Sequence, residues 1–217
     1  KSFTFIFPEV GDGHIIERNL SALKTLGLSS IKKETRLSLS IPQEANEIKE
    51  KFAIGTNYCL FHPVSRRETK LWKKDAFAKL IDHYSNQGLR VVLTSGPDLS
   101  EIQYLKDIEE LANTKVINLG GKTSLIELAA LIKESKFFIG LDSVASHIAA
   151  AVGASGVTLF GPSNSVNWRP WSDKVSIIVR GQEEFCQTHG HMEGKYKKCL
   201  CYISTERVIE EVDRLIN

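Results

Sequence analysis

The 217-residue chain contains no apolar run approaching the roughly 18 to 20 residues that a membrane-spanning helix needs. Its opening Lys1-Ser2-Phe3-Thr4 leads into no signal-type apolar core, so a soluble, cytoplasmic protein is expected. Net charge is nearly lacking as well. The 28 Lys plus Arg and 26 Asp plus Glu leave +2, too little to draw nucleic acid or an anionic membrane by composition alone. Any basic site has to be local. The 4 cysteines form no disulfide framework, since Cys59 stands alone while Cys186, Cys199 and Cys201 cluster late, and a reducing compartment fits. Neither G-x-x-x-x-G-K-[ST] nor G-x-G-x-x-G occurs, which disfavours a P-loop nucleotide site and a nicotinamide dehydrogenase. No Met opens the chain, and the apolar segment Phe3 to Phe7 follows at once, so a fragment or processed chain is expected.

What is present suffices for a packed core. Hydrophobic residues make up 42% and charged ones 25%, with 15 Gly and 6 Pro, which excludes disorder as the dominant state. The length allows one full domain and part of another. Between residues 58 and 179, β-rich runs alternate with helix-period stretches. Strands are expected at Tyr58 to His62, Arg90 to Thr94, Lys115 to Leu119, Phe137 to Leu141, Gly156 to Phe160 and Val175 to Val179. Helices are expected between them, at Asp75 to Gln87, Ser100 to Ala112, Ser124 to Glu134 and Ser143 to Val152. Strict alternation implies right-handed βαβ crossovers, hence an α/β fold with a Rossmann-like parallel sheet and ligand sites at the strands' carboxyl ends. Before this rhythm come a helix from Gly13 to Leu26 and a strand or linker from Arg36 to Ile41. Pro42 then opens a helix to Phe52. An amphipathic helix, Ser204 to Asn217, closes the chain.

Three segments can carry chemistry. In Gly140-Leu141-Asp142-Ser143, followed by His147, a buried strand ends at Asp142 and Ser143 then caps a helix whose first free N–H groups suit a phosphate or pyrophosphate. Singly, His147 reads equally well as a helix histidine satisfied by a neighbour, and Asp142 as a cap; together at a strand end they favour function. The loop His62-Pro63-Val64-Ser65-Arg66-Arg67-Glu68-Thr69-Lys70 holds three cations and two hydroxyls at another strand end, enough to clamp a diphosphate without a metal. A solvated basic loop is its plain alternative, and only position raises it above that. Gly161-Pro162-Ser163-Asn164 permits close backbone approach to a ligand, a weak signal alone, and Gly120-Gly121-Lys122-Thr123 could meet a base or ribose.

The runs His62-Pro-x-Ser-Arg with Lys70-x-Trp72, Arg90-Val-Val-Leu-Thr-x-Gly-Pro97, Gly121-Lys-Thr-Ser-Leu125, Gly140-x-Asp-Ser-x-x-x-His147 and Leu159-Phe-Gly-Pro-Ser163 together resemble glycosyltransferase family 9. The branch resembled is the type III lipopolysaccharide core heptosyltransferases, and the likeness runs over residues 40 to 217. It implies the C-terminal half of a GT-B fold, with residues 41–217 as the donor-binding domain, 204–217 as a terminal crossing helix and 1–40 as a remnant of an N-terminal acceptor domain plus linker. It also implies an inverting, metal-independent transfer of heptose from ADP-heptose to the lipopolysaccharide inner core, without a cofactor. Ser65, Arg66 and Lys70 would meet the donor diphosphate; Asp142, Ser143 and His147 would sit against phosphates and heptose; Gly161 would approach the donor. A ribose-binding carboxylate is expected after the second strand, where Asp98 and Glu101 both qualify.

The resemblance has a gap. Gly11-Asp12-Gly13 does not match the family's opening Gly-Asp turn, so the general base is expected in a missing acceptor domain, and the terminal helix is expected to leave its apolar stripe exposed or paired with another chain. A non-catalytic nucleotide-sugar module, or a family member using another nucleotide sugar, are the alternatives. Cys186, His189, Cys199 and Cys201 could hold zinc, but their spacing matches no common finger, and the metal is the lesser reading. Lys195, Lys197 and Lys198 make the same loop basic, which fits an acidic lipid or phosphorylated acceptor, a peripheral association with the inner membrane's cytoplasmic face, or plain solvation.

Overall fold

A computed structural model of the chain describes residues 13–28, 37–179 and 200–217. Helix α1 (Ile15–Thr25) is followed, after the irregular 37–42 linker, by a 3-10 turn at Gln43–Asn46 and the short α2 (Glu47–Lys51). The alternation then begins: β1 (Tyr58–His62), α3 (Lys74–Asn86), β2 (Arg90–Ser95), α4 (Leu99–Leu111), β3 (Ile117–Gly120), α5 (Leu125–Glu134), β4 (Phe138–Leu141), α6 (Val144–Val152) and β5 (Gly156–Phe160). The short α7 (Ser165–Trp168), β6 (Val175–Val179), a 3-10 turn at Leu200–Tyr202 and α8 (Thr205–Ile216) complete it. All six strands pair in parallel in the order β3-β2-β1-β4-β5-β6. The order reverses direction between β1 and β4, and such a switch point opens a crevice at the carboxyl edge.

Side chains alternate across the strands to feed two cores. Cys59, Phe61, Val91, Leu93, Ile139, Leu141, Val157 and Leu159 pack toward α3, α4 and α8, while Tyr58, Leu60, Val92 and Phe138 pack toward α2, α5 and α6. The inner strands are buried on both faces, which is why they read as apolar runs rather than as alternating ones. Gly140 and Gly156 serve this packing by their lack of a side chain: a Cβ at Gly140 would stand 2.4 Å from the Phe138 ring, and one at Gly156 2.6 Å from the Phe138 carbonyl oxygen. Gly88 ends α3 in the left-handed region, φ 84°, where Leu89 N–H bonds back to the Tyr84 carbonyl.

Two expectations are corrected here. The terminal helix does not leave its apolar stripe open: Val208 and Val212 are fully buried in the core shared with α3, and Trp72 Nε1 donates to the Ile203 carbonyl at 3.0 Å just before α8. The stripe's spacing told that it must be covered, but not by what. Cys201 is buried and disulfide-bonded, so as it stands it offers no thiolate to a metal and departs from the expected free thiols. Cysteine spacing alone does not disclose which thiols a fold brings together. The other proposed zinc ligands, Cys186, His189 and Cys199, the basic loop around them, the Phe3 to Phe7 segment and Gly11-Asp12 lie outside the described residues. Cys59 is buried in the β1 core and free, and burial pushes its thiol up, away from reactivity.

Candidate functional site

A cleft of about 1210 Å³ opens along the carboxyl edge of β1, β2 and β4, on the sheet face that carries α5 and α6. The loop after β1 contributes Ser65, Arg66, Arg67 and Lys70; the β2–α4 turn contributes Pro97, Asp98 and Glu101; the α5 start contributes Ser124 and Leu125; the β4–α6 junction contributes Asp142, Ser143 and His147. The structure thus gathers seven of the sequence-expected residues into one wall: Ser65, Arg66, Lys70, Glu101, Asp142, Ser143 and His147. Gly161 is the exception. It lies buried beyond β5 and is not among the described residues that line this cleft. The Gly120-Gly121 turn does reach the cleft through its continuation, Thr123 and Ser124, because Gly121 at φ 70° folds the chain against Pro97 and Ile102.

At the centre Lys70 Nζ and Asp142 Oδ2 form an ion pair of 2.5 Å, their side chains only 17% and 9% exposed. A 3-10 turn at Glu68–Lys70, closed by Lys70 N–H to the Arg67 carbonyl, aims the lysine across the sheet edge at the end of β4. Arg66 and Arg67 line the cleft exposed, without an acidic partner among the described residues. The pair neutralises itself, so the net positive charge of the mouth rests on these arginines.

Helix termini set the second feature. Asp98 caps α4, accepting from Ser100 N–H at 2.8 Å, and Ser124 caps α5 in a reciprocal box with Glu127. Ser143 occupies the same position before α6 yet makes no side-chain cap, and its Oγ is buried without a partner. The leading N–H groups of α6, which have no intrahelical acceptor, are therefore uncapped and face the cleft beside Ser143 and Val144. That corrects the reading of Ser143 as a conventional cap.

The two acidic candidates after β2 both line the cleft but are engaged differently. Asp98 is committed to its cap, and hydrogen bonds from the Ser100 side chain and backbone hold its carboxyl below the usual range. Glu101, one turn into α4, accepts from Gly96 N–H at 2.9 Å and is held at the rim of the cleft. His147, one turn into α6, has its pKa lowered chiefly by burial, with Asp142 opposing and His14 and Lys70 assisting.

His14 went unnoticed in the sequence. It precedes α1, accepts from Ile16 N–H at 3.2 Å through Nδ1, and donates from Nε2 to the Arg169 carbonyl at 2.7 Å, its ring 4.3 Å from that of Trp171. It ties α1 to the segment after α7, beside His147. Its only sequence signal was a histidine at a helix start. Among the described residues no His, Cys, Asp and Glu group could hold a metal ion, and no helix is long and apolar enough to cross a membrane.

Known proteins share this fold. Residues 7–199 match the glycosyltransferase family 9 (heptosyltransferase) model. Lipopolysaccharide heptosyltransferase 3 of Escherichia coli K12 is 36% identical over the whole chain, which spans 63% of that relative's length. Among solved structures, a family 9 glycosyltransferase from Veillonella parvula superposes with a TM-score of 0.80 at 24% identity, covering 97% of this chain and 62% of its own. The E. coli ADP-heptose lipopolysaccharide heptosyltransferase II superposes with a TM-score of 0.79 at 22% identity, covering 97% and 64%. At these identities the structures speak for the fold, which is GT-B-like, while the match across most of the sequence decides descent: the chain belongs to glycosyltransferase family 9.

Proposed function

We propose that residues 41–217 are the donor-binding part of a heptosyltransferase that moves heptose from ADP-heptose to the lipopolysaccharide inner core. The observation that carries this is the uncapped α6 terminus facing Lys70 across a cleft at the sheet's switch point. A diphosphate placed there meets the leading backbone N–H groups of α6 and the Lys70 ammonium, groups that stabilise a departing nucleoside diphosphate without a metal. Anionic oxygens entering the cleft compete with Asp142 for Lys70. Asp142, once released, is an acceptor for hydroxyls of the transferred sugar, and Glu101 at the other end is an acceptor for the ribose pair. His147 is held neutral by burial, so near pH 7 it binds by hydrogen bonding rather than by charge.

The similarity to lipopolysaccharide heptosyltransferase 3 and to an ADP-heptose heptosyltransferase supports this donor and acceptor, and the cleft's chemistry gives the reason a nucleoside diphosphate sugar fits. Transfer with inversion needs a base on the acceptor side, and no residue of the cleft is assigned that task. A lipopolysaccharide acceptor and peripheral contact with the inner membrane belong to the same proposal. Calorimetric titration with ADP, UDP and ADP-heptose tests it. Selective binding of ADP and ADP-heptose, lost in Lys70→Ala, is expected; equal affinity for UDP would point to another nucleotide sugar, and no binding of any of the three would contradict the reading.

A further inference from the structure

His62 stands at the carboxyl end of β1, 6% exposed, and lines the same cleft as Lys70 and Asp142. On its inner side Nδ1 lies 3.0 Å from Thr94 Oγ1, and the Thr94 hydroxyl in turn donates to the Phe61 carbonyl at 3.3 Å. A threonine hydroxyl has one proton and a carbonyl can only accept. Nδ1 must therefore carry the imidazole hydrogen and donate it to Thr94, which leaves Nε2 with an open lone pair. Burial holds the ring neutral by lowering its pKa to about 4. No described residue donates to Nε2, and unlike the Ser143 hydroxyl it is not shut away among the buried unpartnered atoms.

A neutral nitrogen lone pair repels diphosphate oxygens, which are acceptors themselves. It accepts from a hydroxyl or an amine, and a nucleotide sugar brings both. We propose that His62 is a binding residue that reads the non-phosphate part of the nucleotide sugar, its Nε2 accepting a hydrogen bond from a hydroxyl or amino group of the nucleoside or sugar. Thr94, buried one strand away, acts through His62 as a positioning residue that fixes the tautomer. This rests on the donor-site reading and divides the cleft by chemistry: cationic and N–H donors for phosphate, acceptors for hydroxyls.

The test compares binding of inorganic pyrophosphate, ADP and ADP-heptose to the intact chain and to His62→Phe, His62→Gln, Thr94→Val and Thr94→Ser. His62→Phe should weaken ADP-heptose roughly tenfold, as loss of one buried hydrogen bond implies, while pyrophosphate stays within about twofold. ADP weakened to the same degree places the partner on the nucleoside; ADP unchanged places it on the sugar. His62→Gln, which keeps an acceptor, should recover part of the loss, and Thr94→Ser should match wild type where Thr94→Val does not. Equal losses for all three ligands, or none for any, overturn the proposal. Should His62→Phe not fold by circular dichroism, the Thr94 pair decides: no difference between Val and Ser overturns it. Wild-type protein that binds pyrophosphate but gains nothing from the nucleoside or sugar contradicts the donor-site reading itself, a result separable from any behaviour of His62.

Discussion

The Lys70–Asp142 pair sets opposing demands on the same two side chains. An incoming diphosphate is attracted by Lys70 and repelled by Asp142, so removing the carboxylate charge should help the nucleotide alone while harming discrimination in favour of the sugar. Asp142→Asn is expected to tighten ADP binding by about tenfold, the size of one screened Coulomb interaction at this range, and to erase the advantage of ADP-heptose over ADP. Weaker ADP binding by calorimetry would show that Asp142 holds the phosphates in some other way. His62 gives a stability prediction. Its folded pKa, about 4, lies below the 6.5 of the unfolded chain, so the unfolded state binds the extra proton. The stability this group confers is complete above pH 6.5 and is lost as the pH falls toward 4, on the order of 3 kcal/mol over that window. Urea titrations from pH 7 to 4.5 should show the decline in wild type and a shallower one in His62→Gln; parallel declines would rule His62 out as the cause. At this scale the sequence disclosed residue types and not their engagements. Asp98 and Glu101 were indistinguishable until the α4 cap claimed one of them, and nothing near His14 announced a partner at Arg169.

At the level of elements, the contrast between helix starts is the informative one. Ser124→Ala removes the side-chain half of a capping box, the bond from Glu127 N–H to Ser124 Oγ, and should cost about 1 kcal/mol in chemical denaturation. Ser143→Ala removes a buried hydroxyl that bonds to nothing in the protein, so stability should hold or rise slightly while ADP binding, carried by the α6 N–H groups, is kept; a Ser143→Ala variant that loses as much stability as Ser124→Ala would mean α6 is capped after all. The Gly156→Ala substitution sets a Cβ against the Phe138 carbonyl, backbone that cannot swing aside, and should cost about 1–3 kcal/mol. Unchanged thermal stability would show that β4 and β5 yield more readily than their packing suggests. Strand positions were legible where the apolar run is unbroken: the inner strands β1 and β5, and the edge strand β6, begin and end where apolar β-branched and aromatic runs do. The edge strand β3 starts at Ile117 rather than Lys115, because only β2 pairs with it and that ladder begins at Val92. Ser143 misled in the opposite sense, since a serine before an apolar helix normally caps it.

At the scale of the whole molecule, the parallel sheet gathers the candidate site's side chains from the connections at its carboxyl edge. The turns after β1, β2 and β4 converge because the strand order reverses beside β1, and the alternation of strands and helices alone was enough to point to that edge, where the cleft lies. What alternation could not foresee was closure. The terminal helix completes the core under α3 instead of waiting for a partner, and His14 ties α1 to Arg169 after α7. The central claim, that the cleft holds a diphosphate on the uncapped α6 terminus, is tested most directly by following backbone amide resonances as ADP is added. The account predicts that the largest shifts fall on Ser143, Val144 and Ala145, with Ser65 and Lys70 next and the capped start of α5 smaller. Shifts that leave the start of α6 untouched, or that gather around Arg169 to Lys174 beside Ala150 and Gly153 at that helix's other end, would contradict it.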